Sequence, residues 1–255
     1  MRLDHLFDLT GHVAVITGGN SGIGKAIAQA LGSQGAKLIL MGRREAELNA
    51  ACAEMRARGT DATGITVDLA DRDALKKACV DAALPYGAPD ILVTCSGINI
   101  RRPFPELTEG DWDVTMAINL AAPFLITQAL APAMKAKGWG RIINIASLQS
   151  VRAFNNSAPY GASKGGVMQL TRATAEYWSA FGVTCNAIAP GFFHTPLTAA
   201  VFGDAAKAQK NADATMVGRN GELPDLFGTA IFLASNASAY LTGQIIFVDG
   251  GFSAK

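Results

Sequence analysis

The stretch VAVITGGNSGIGKAIAQAL, residues 13–31, joins a short apolar run to an alanine-rich helical pattern through a turn that holds Gly18, Gly22 and Gly24. A tight strand-to-helix turn needs positive φ, a close-lying phosphate needs bare backbone, and a helix N-terminus offers oriented N–H groups with partial positive charge. The pyrophosphate of a dinucleotide meets all three demands. The reading is therefore strand, phosphate loop, helix, with Gly18, Asn20, Ser21, Gly22, Ile23 and Gly24 as the cradle. The spacing is T-G-x-x-x-G-x-G rather than the more general G-x-G-x-x-G.

Outward from this turn, β-rich runs recur: KLILM from Lys37, GITVD from Gly64, DILVTC from Asp90, RIINIAS from Arg141, VTCNAIAP from Val183 and QIIFVDGG from Gln244. They are continuous rather than alternating, which indicates strands buried on both faces. Helix-length segments at 22–35, 43–59, 71–86, 111–137 and 159–181 lie between them. Such alternation predicts right-handed crossovers in an α/β fold, a single-domain Rossmann-like doubly wound parallel sheet with helices on both faces, spanning residues 1–255. Residues 192–224, alanine-rich and weakly patterned, are expected to form short helices over the substrate as a lid.

Composition narrows the partners. A formal net charge of +1 over 255 residues gives no global field for nucleic acid or an anionic membrane, so a small-molecule substrate is expected. Cys52, Cys79, Cys95 and Cys185 show neither close pairing nor metal-ligand spacing, which suits reduced thiols in a cytoplasmic protein with no metal. Asp4, His5 and Asp8 interrupt the apolar residues at the N-terminus, unlike a signal peptide. The 49% hydrophobic content is assigned to a buried sheet, with no spanning helix expected.

In SAPYGASKGGV, residues 157–167, Lys164 follows Tyr160 by four residues, one helical turn, with Pro159 suited to the first turn. A free tyrosine titrates near ~10, and an adjacent ammonium favours its phenolate. The pair alone is weak evidence. Together with the loop at 17–24, VDL at Asp68, INL at Asn119, INIAS ending at Ser147, PG at Pro190 and VDGG at Asp249, it makes the whole chain resemble the short-chain dehydrogenase/reductase family. Within it, RRPF, INIASLQS, GTAIFLAS and GQIIFVDGG look most like gluconate 5-dehydrogenases and related sugar-acid or polyol enzymes.

The resemblance implies an NAD(P)-dependent oxidoreductase acting on a secondary alcohol or ketone. It makes Tyr160 the acid/base, Lys164 the cation that lowers its pKa and binds the nicotinamide ribose, Ser147 a hydrogen-bonding partner of the substrate oxygen, and Asn119 the holder of a water in a proton relay. It places Asp68 and Leu69 at the adenine, Gly97 on the adenosine side, and Pro190, Gly191, Phe193 and Thr195 at the nicotinamide. Thr94, Cys95 and Ser96 stand where the family commonly has Asn-Asn-Ala, and Cys95 is read as packing. The alternatives are a 3-oxoacyl-thioester reductase and a non-catalytic cofactor-sensing protein on the same fold.

Two choices follow from charge. After KLILM the chain has Gly42, Arg43 and Arg44, where an acidic residue would bind a ribose 2′-hydroxyl and an arginine a 2′-phosphate, so NADP is preferred and NAD is the alternative. Arg101, with Arg102 or Arg152 assisting, is expected to read a substrate carboxylate beside Ser147, Gln149 and Tyr160. The segments 111–137 and 159–181 resemble the helices through which the family assembles, and a homotetramer is expected.

Overall fold

The computed structural model describes residues 3–255. In chain order its elements are β1 (Val13–Thr17), α1 (Gly22–Ser33), β2 (Lys37–Gly42), α2 (Glu45–Ala57), β3 (Ala62–Thr66), α3 (Arg72–Asp81), β4 (Ile91–Thr94), α4 (Glu109–Met116), α5 (Ala122–Lys137), β5 (Gly140–Ile145), α6 (Ala158–Trp178) and β6 (Val183–Pro190). Then come α7 (Ala199–Phe202), α8 (Ala205–Asp213), α9 (Phe227–Ala234) and β7 (Ile245–Val248). The seven strands form one sheet in the order β3-β2-β1-β4-β5-β6-β7, every pairing parallel.

Each central strand serves two cores because successive side chains point to opposite faces. Ala14, Ile16, Leu38 and Leu40 join one core under α1, α2 and α9, and Val13, Val15, Ile39 and Met41 join the other under α3, α5 and α6. That division explains the unbroken apolar runs. Strand order reverses between β1 and β4, and at such a point the two crossovers leave in opposite directions and open a crevice at the strands' carboxyl ends.

Three points differ from expectation in ways that bear on the site or the composition. The third strand begins earlier, at Ala62, and ends at Thr66, so Val67 and Asp68 lie beyond it on the cleft side. The segment expected as one helix over 111–137 is α4 and α5 joined by a wider turn at Ala117–Ala121, where the Ala122 amide reaches back five residues to the Ala117 carbonyl. The expectation of no span-length apolar helix also needs correction: Glu109–Lys137 is 29 residues long with a mean hydropathy of 1.6 in its most apolar window. The sheet accounts for part of that composition, since Ile126, Leu130, Ala131 and Met134 are buried in the second core. Residues 196–213 carry short helices, as the alanine content suggested.

Candidate active site

At the switch point the carboxyl ends of the strands open on a cleft of about 470 Å³ that runs from Arg43 and Arg44 at one end to Ser147, Tyr160 and Thr195 at the other. The glycine turn forms its floor. Gly18 and Gly22 have φ of +68° and +51°, and a Cβ on Gly24 would lie 2.3 Å from the Gly18 carbonyl oxygen. No side chain fits there, so the loop presents backbone to the cleft ahead of α1, a cradle suited to a pyrophosphate. Asp68, Leu69, Gly97, Pro190, Gly191 and Phe193 line the same cleft.

The replaced family motif after β4 is supported by other bonds. The Thr94 hydroxyl donates to Asn144 Oδ1 (2.7 Å), and the Cys95 and Ser96 amides donate to Thr17 Oγ1 (3.0 and 3.1 Å). Burial pushes the Cys95 thiol up to about 12, which keeps it protonated.

Pro159 sits in the first turn of α6, where its missing N–H costs nothing, and the helix carries Tyr160 and Lys164 into the cleft. Tyr160 is 8% exposed and Lys164 3%. Lys164 Nζ lies 5.8 Å from the Tyr160 ring centre and donates to the Ile145 carbonyl at 2.6 Å. Ser147 follows β5, and its hydroxyl accepts from the Gln149 amide (3.1 Å). Ser150 ties that turn to α6 by accepting from the Ser147 amide (3.2 Å) and donating to the Lys164 carbonyl (2.8 Å).

Electrostatics around the pair differ from the expected picture of a lysine that lowers the tyrosine. Burial raises the Tyr160 pKa above the ordinary phenol value, against lowering by the hydrogen bond with Ser147 and by the charge of Arg101. Burial also brings Lys164 down to about 8. Desolvation penalises both charged forms, and the ammonium is turned to a backbone carbonyl rather than to the phenol oxygen. Tyr160 thus holds its proton at neutral pH and can donate it to an oxygen placed beside Ser147.

Asn119 lies in the wide turn between α4 and α5, fully buried. Its amide nitrogen donates to the Ile98 carbonyl (2.9 Å) and to Ser163 Oγ (3.0 Å), and its oxygen accepts from the Ile98 amide (2.9 Å). It therefore pins the chain beyond β4 to α6. Such wide turns recur at functional sites, because the extra residue aims a side chain that a regular helix would not.

The comparisons with known proteins agree with this geometry. Residues 18–253 match the family model for enoyl-(acyl carrier protein) reductase. The chain is 38% identical to the gluconate 5-dehydrogenase of Gluconobacter oxydans (strain 621H), over 97% of each chain, and 36% identical to the 5-keto-D-gluconate 5-reductase of Escherichia coli (strain K12), over 98% of each. It superposes with a TM-score of 0.95 on a gluconate 5-dehydrogenase from Burkholderia cenocepacia J2315 solved in complex with NADP and tartrate, at 38% identity and full coverage of both chains. The chain belongs to the short-chain dehydrogenase/reductase family.

As a short-chain dehydrogenase/reductase it is an NAD(P)-dependent oxidoreductase. Of the three arginines expected near the substrate, only Arg101 lines the cleft, together with Gln149. Arg102 pairs with Asp111 (3.3 Å), and Arg152 donates to the Phe252 carbonyl (3.1 Å) and lies over the Phe252 ring. Both line a neighbouring pocket instead. Each has an acceptor close by, Asp111 in the first turn of α4 or the Phe252 carbonyl, so nearness in sequence to the strand ends does not bring them in.

Sequence reasoning passed over an aromatic wall. Phe154 and Phe192 line the cleft, with ring centres 6.0 Å apart, and Phe252 packs on both at 6.4 and 5.6 Å. Their loops follow β5, β6 and β7, and phenylalanines just past strand ends at the carboxyl edge were the available signal.

Proposed function

We propose that this oxidoreductase transfers hydride between NADP and a secondary alcohol or ketone of the sugar-acid class. The observation that carries the reading is that one cleft holds two exposed guanidiniums, Arg43 and Arg44, at its adenosine end, and Ser147, Tyr160 and Arg101 at its other end. The named activities of the relatives and the NADP and tartrate in the Burkholderia protein support it.

Mechanism follows from the chain's own groups. The nicotinamide, when bound, supplies or accepts the hydride. The cradle at 18–24 would hold the pyrophosphate, Arg43 and Arg44 the 2′-phosphate, and Pro190, Gly191, Phe193 and Thr195 the nicotinamide end. Tyr160, kept protonated by burial, gives its proton to the carbonyl oxygen during reduction and takes one back during oxidation. The Ser147 hydroxyl hydrogen-bonds the same oxygen and stabilises the charge that develops there. Lys164 carries the nearest ammonium, and Asn119 holds the strand end beside it, in line with a water-linked proton path. Arg101 reads the substrate carboxylate.

The reading extends to the whole protein. The chain acts as one domain, with residues 192–224 as a lid over the substrate; the parallel bridge of Phe193 with Gly221 ties the base of that segment together. The assembly is a homotetramer built on α4, α5 and α6, supported by Trp112 and Phe124, which are 44% and 49% exposed. The setting is cytoplasmic, consistent with four unpaired cysteines.

The test is a panel of sugar acids, polyols and acyl thioesters with NADP, run on wild type and Arg101→Ala. Sugar acids should outperform polyols of equal length. Loss of a charge-assisted bond worth roughly 1.5 to 3 kcal/mol should lower acid turnover efficiency by about 10- to 100-fold while sparing neutral substrates. An acid-to-polyol ratio unchanged by the substitution, or turnover confined to thioesters, would contradict the proposal.

A further inference from the structure

Both guanidiniums at the adenosine end are already engaged by carboxylates. Arg43 Nη1 lies 3.8 Å from Asp68 Oδ2, and Arg44 Nη2 lies 2.6 Å from Glu47 Oε2. The same Glu47 oxygen accepts from the Asn20 side-chain amide at 3.2 Å. Asn20 belongs to the glycine turn and lines the cleft, as Arg44 does, so Glu47 ties the phosphate loop to the loop after β2. Gly42 makes room for this knot, since a Cβ there would lie 2.8 Å from Asn20 Oδ1.

We infer that Glu47 is a specificity-determining residue for the cofactor, holding Arg44 and Asn20 in a closed knot that a 2′-phosphate must open and a 2′-hydroxyl need not. The inference rests on the reading of Arg44 as a phosphate ligand. A phosphate arriving at Arg44 meets a carboxylate already on that guanidinium, so part of the attraction is spent on displacing Glu47 and on its repulsion. A bare ribose brings no charge to compete, and the knot stays closed around it. Glu47 stands in the first turn of α2, where a helix N-terminus favours negative charge, and its contacts with Arg44 and Asn20 hold the carboxylate in place. The pair is about half exposed, so the effect is moderate and screened by salt.

The experiment is equilibrium binding of NADP and of NAD, in low and in high salt, to wild type, Glu47→Gln, Arg44→Ala and the double variant. Glutamine keeps the shape and the acceptor while removing the charge. In low salt Glu47→Gln should tighten NADP by roughly threefold to tenfold and leave NAD unchanged, with the gain shrinking in high salt. Arg44→Ala should weaken NADP, and in its background the Glu47→Gln gain should vanish. Unaltered NADP binding in Glu47→Gln overturns the inference, while a weakened Arg44→Ala would still uphold the phosphate reading. NADP binding indifferent to Arg44→Ala removes both. Equal tightening of NAD and NADP by Glu47→Gln also overturns it, because a general loosening of the loop would act on either cofactor.

Discussion

The two edges of the sheet both bury titratable side chains, yet Asp90 at one and Lys164 at the other are served in opposite ways. At the amino-end edge Asp90, 6% exposed, accepts from the Val13 amide (2.9 Å) and from Lys137 Nζ (2.6 Å), with His12 at 3.7 Å. Arg141, 3% exposed, donates to the Gly140 and Ser235 carbonyls and covers the Trp139 ring, which stacks on His12. Burial works to raise Asp90, and the nearby His12 ring with the hydrogen bonds from Lys137 and Val13 outweighs that and holds it below the usual carboxylate range. At the carboxyl-end edge Lys164 has one carbonyl for its ammonium and, among the described residues, no carboxylate within 4.0 Å. Burial therefore dominates there, moving Lys164 down and Tyr160 up. A satisfied buried charge fastens the fold; an underserved one is poised to exchange protons.

The largest expected break in this contrast is Tyr160→Phe. Removing one hydroxyl while keeping the ring should lower turnover by about 10²- to 10⁴-fold and leave NADP binding within roughly threefold, checked by steady-state kinetics beside cofactor titration. Asp90→Asn should do the reverse. Losing the charge that Lys137 and the Val13 amide serve should destabilise the protein by about 2 kcal/mol in denaturant unfolding, with turnover of the folded fraction unchanged.

Lys164→Met sharpens the contrast in the other direction. A lysine whose folded pKa of about 8 lies below its unfolded value binds fewer protons folded than unfolded between those values, so stability rises with pH across that window. Its charge is a burden below pH 8. Replacement by methionine should abolish most turnover while stabilising the fold by roughly 1 to 3 kcal/mol at pH 7, a gain that fades toward pH 10. Thermal unfolding across that range checks it; a destabilised variant at pH 7 would show that the ammonium is better served than the geometry indicates.

The sequence made the sheet legible for a physical reason: strands covered on both faces must be apolar throughout, so VAVIT, KLILM and RIINI could hardly be anything else. The glycine turn was equally readable, because Gly24 faces a carbonyl no side chain can approach. The wide turn at Ala117–Ala121 was hidden, since one extra residue in a helical circuit leaves the apolar pattern nearly intact. Arginine placement was legible only to the level of the loop. Arg101, Arg102 and Arg152 share the carboxyl edge, but local acceptors, Asp111 and the Phe252 carbonyl, decide which guanidinium reaches the cleft. The balance at Tyr160 was less legible, because spacing along a helix gives proximity to Lys164 and says nothing of the Ile145 carbonyl that takes the ammonium's hydrogen bond.

The central claim, that burial leaves Tyr160 a protonated acid at neutral pH, is tested most directly by turnover efficiency against pH in both directions on the wild-type protein. Carbonyl reduction consumes the Tyr160 proton and should hold steady from pH 6 to pH 8, whereas alcohol oxidation needs the phenolate and should climb about tenfold per pH unit toward pH 9. An oxidation rate already level at pH 7 would place the tyrosine below neutrality and contradict the account.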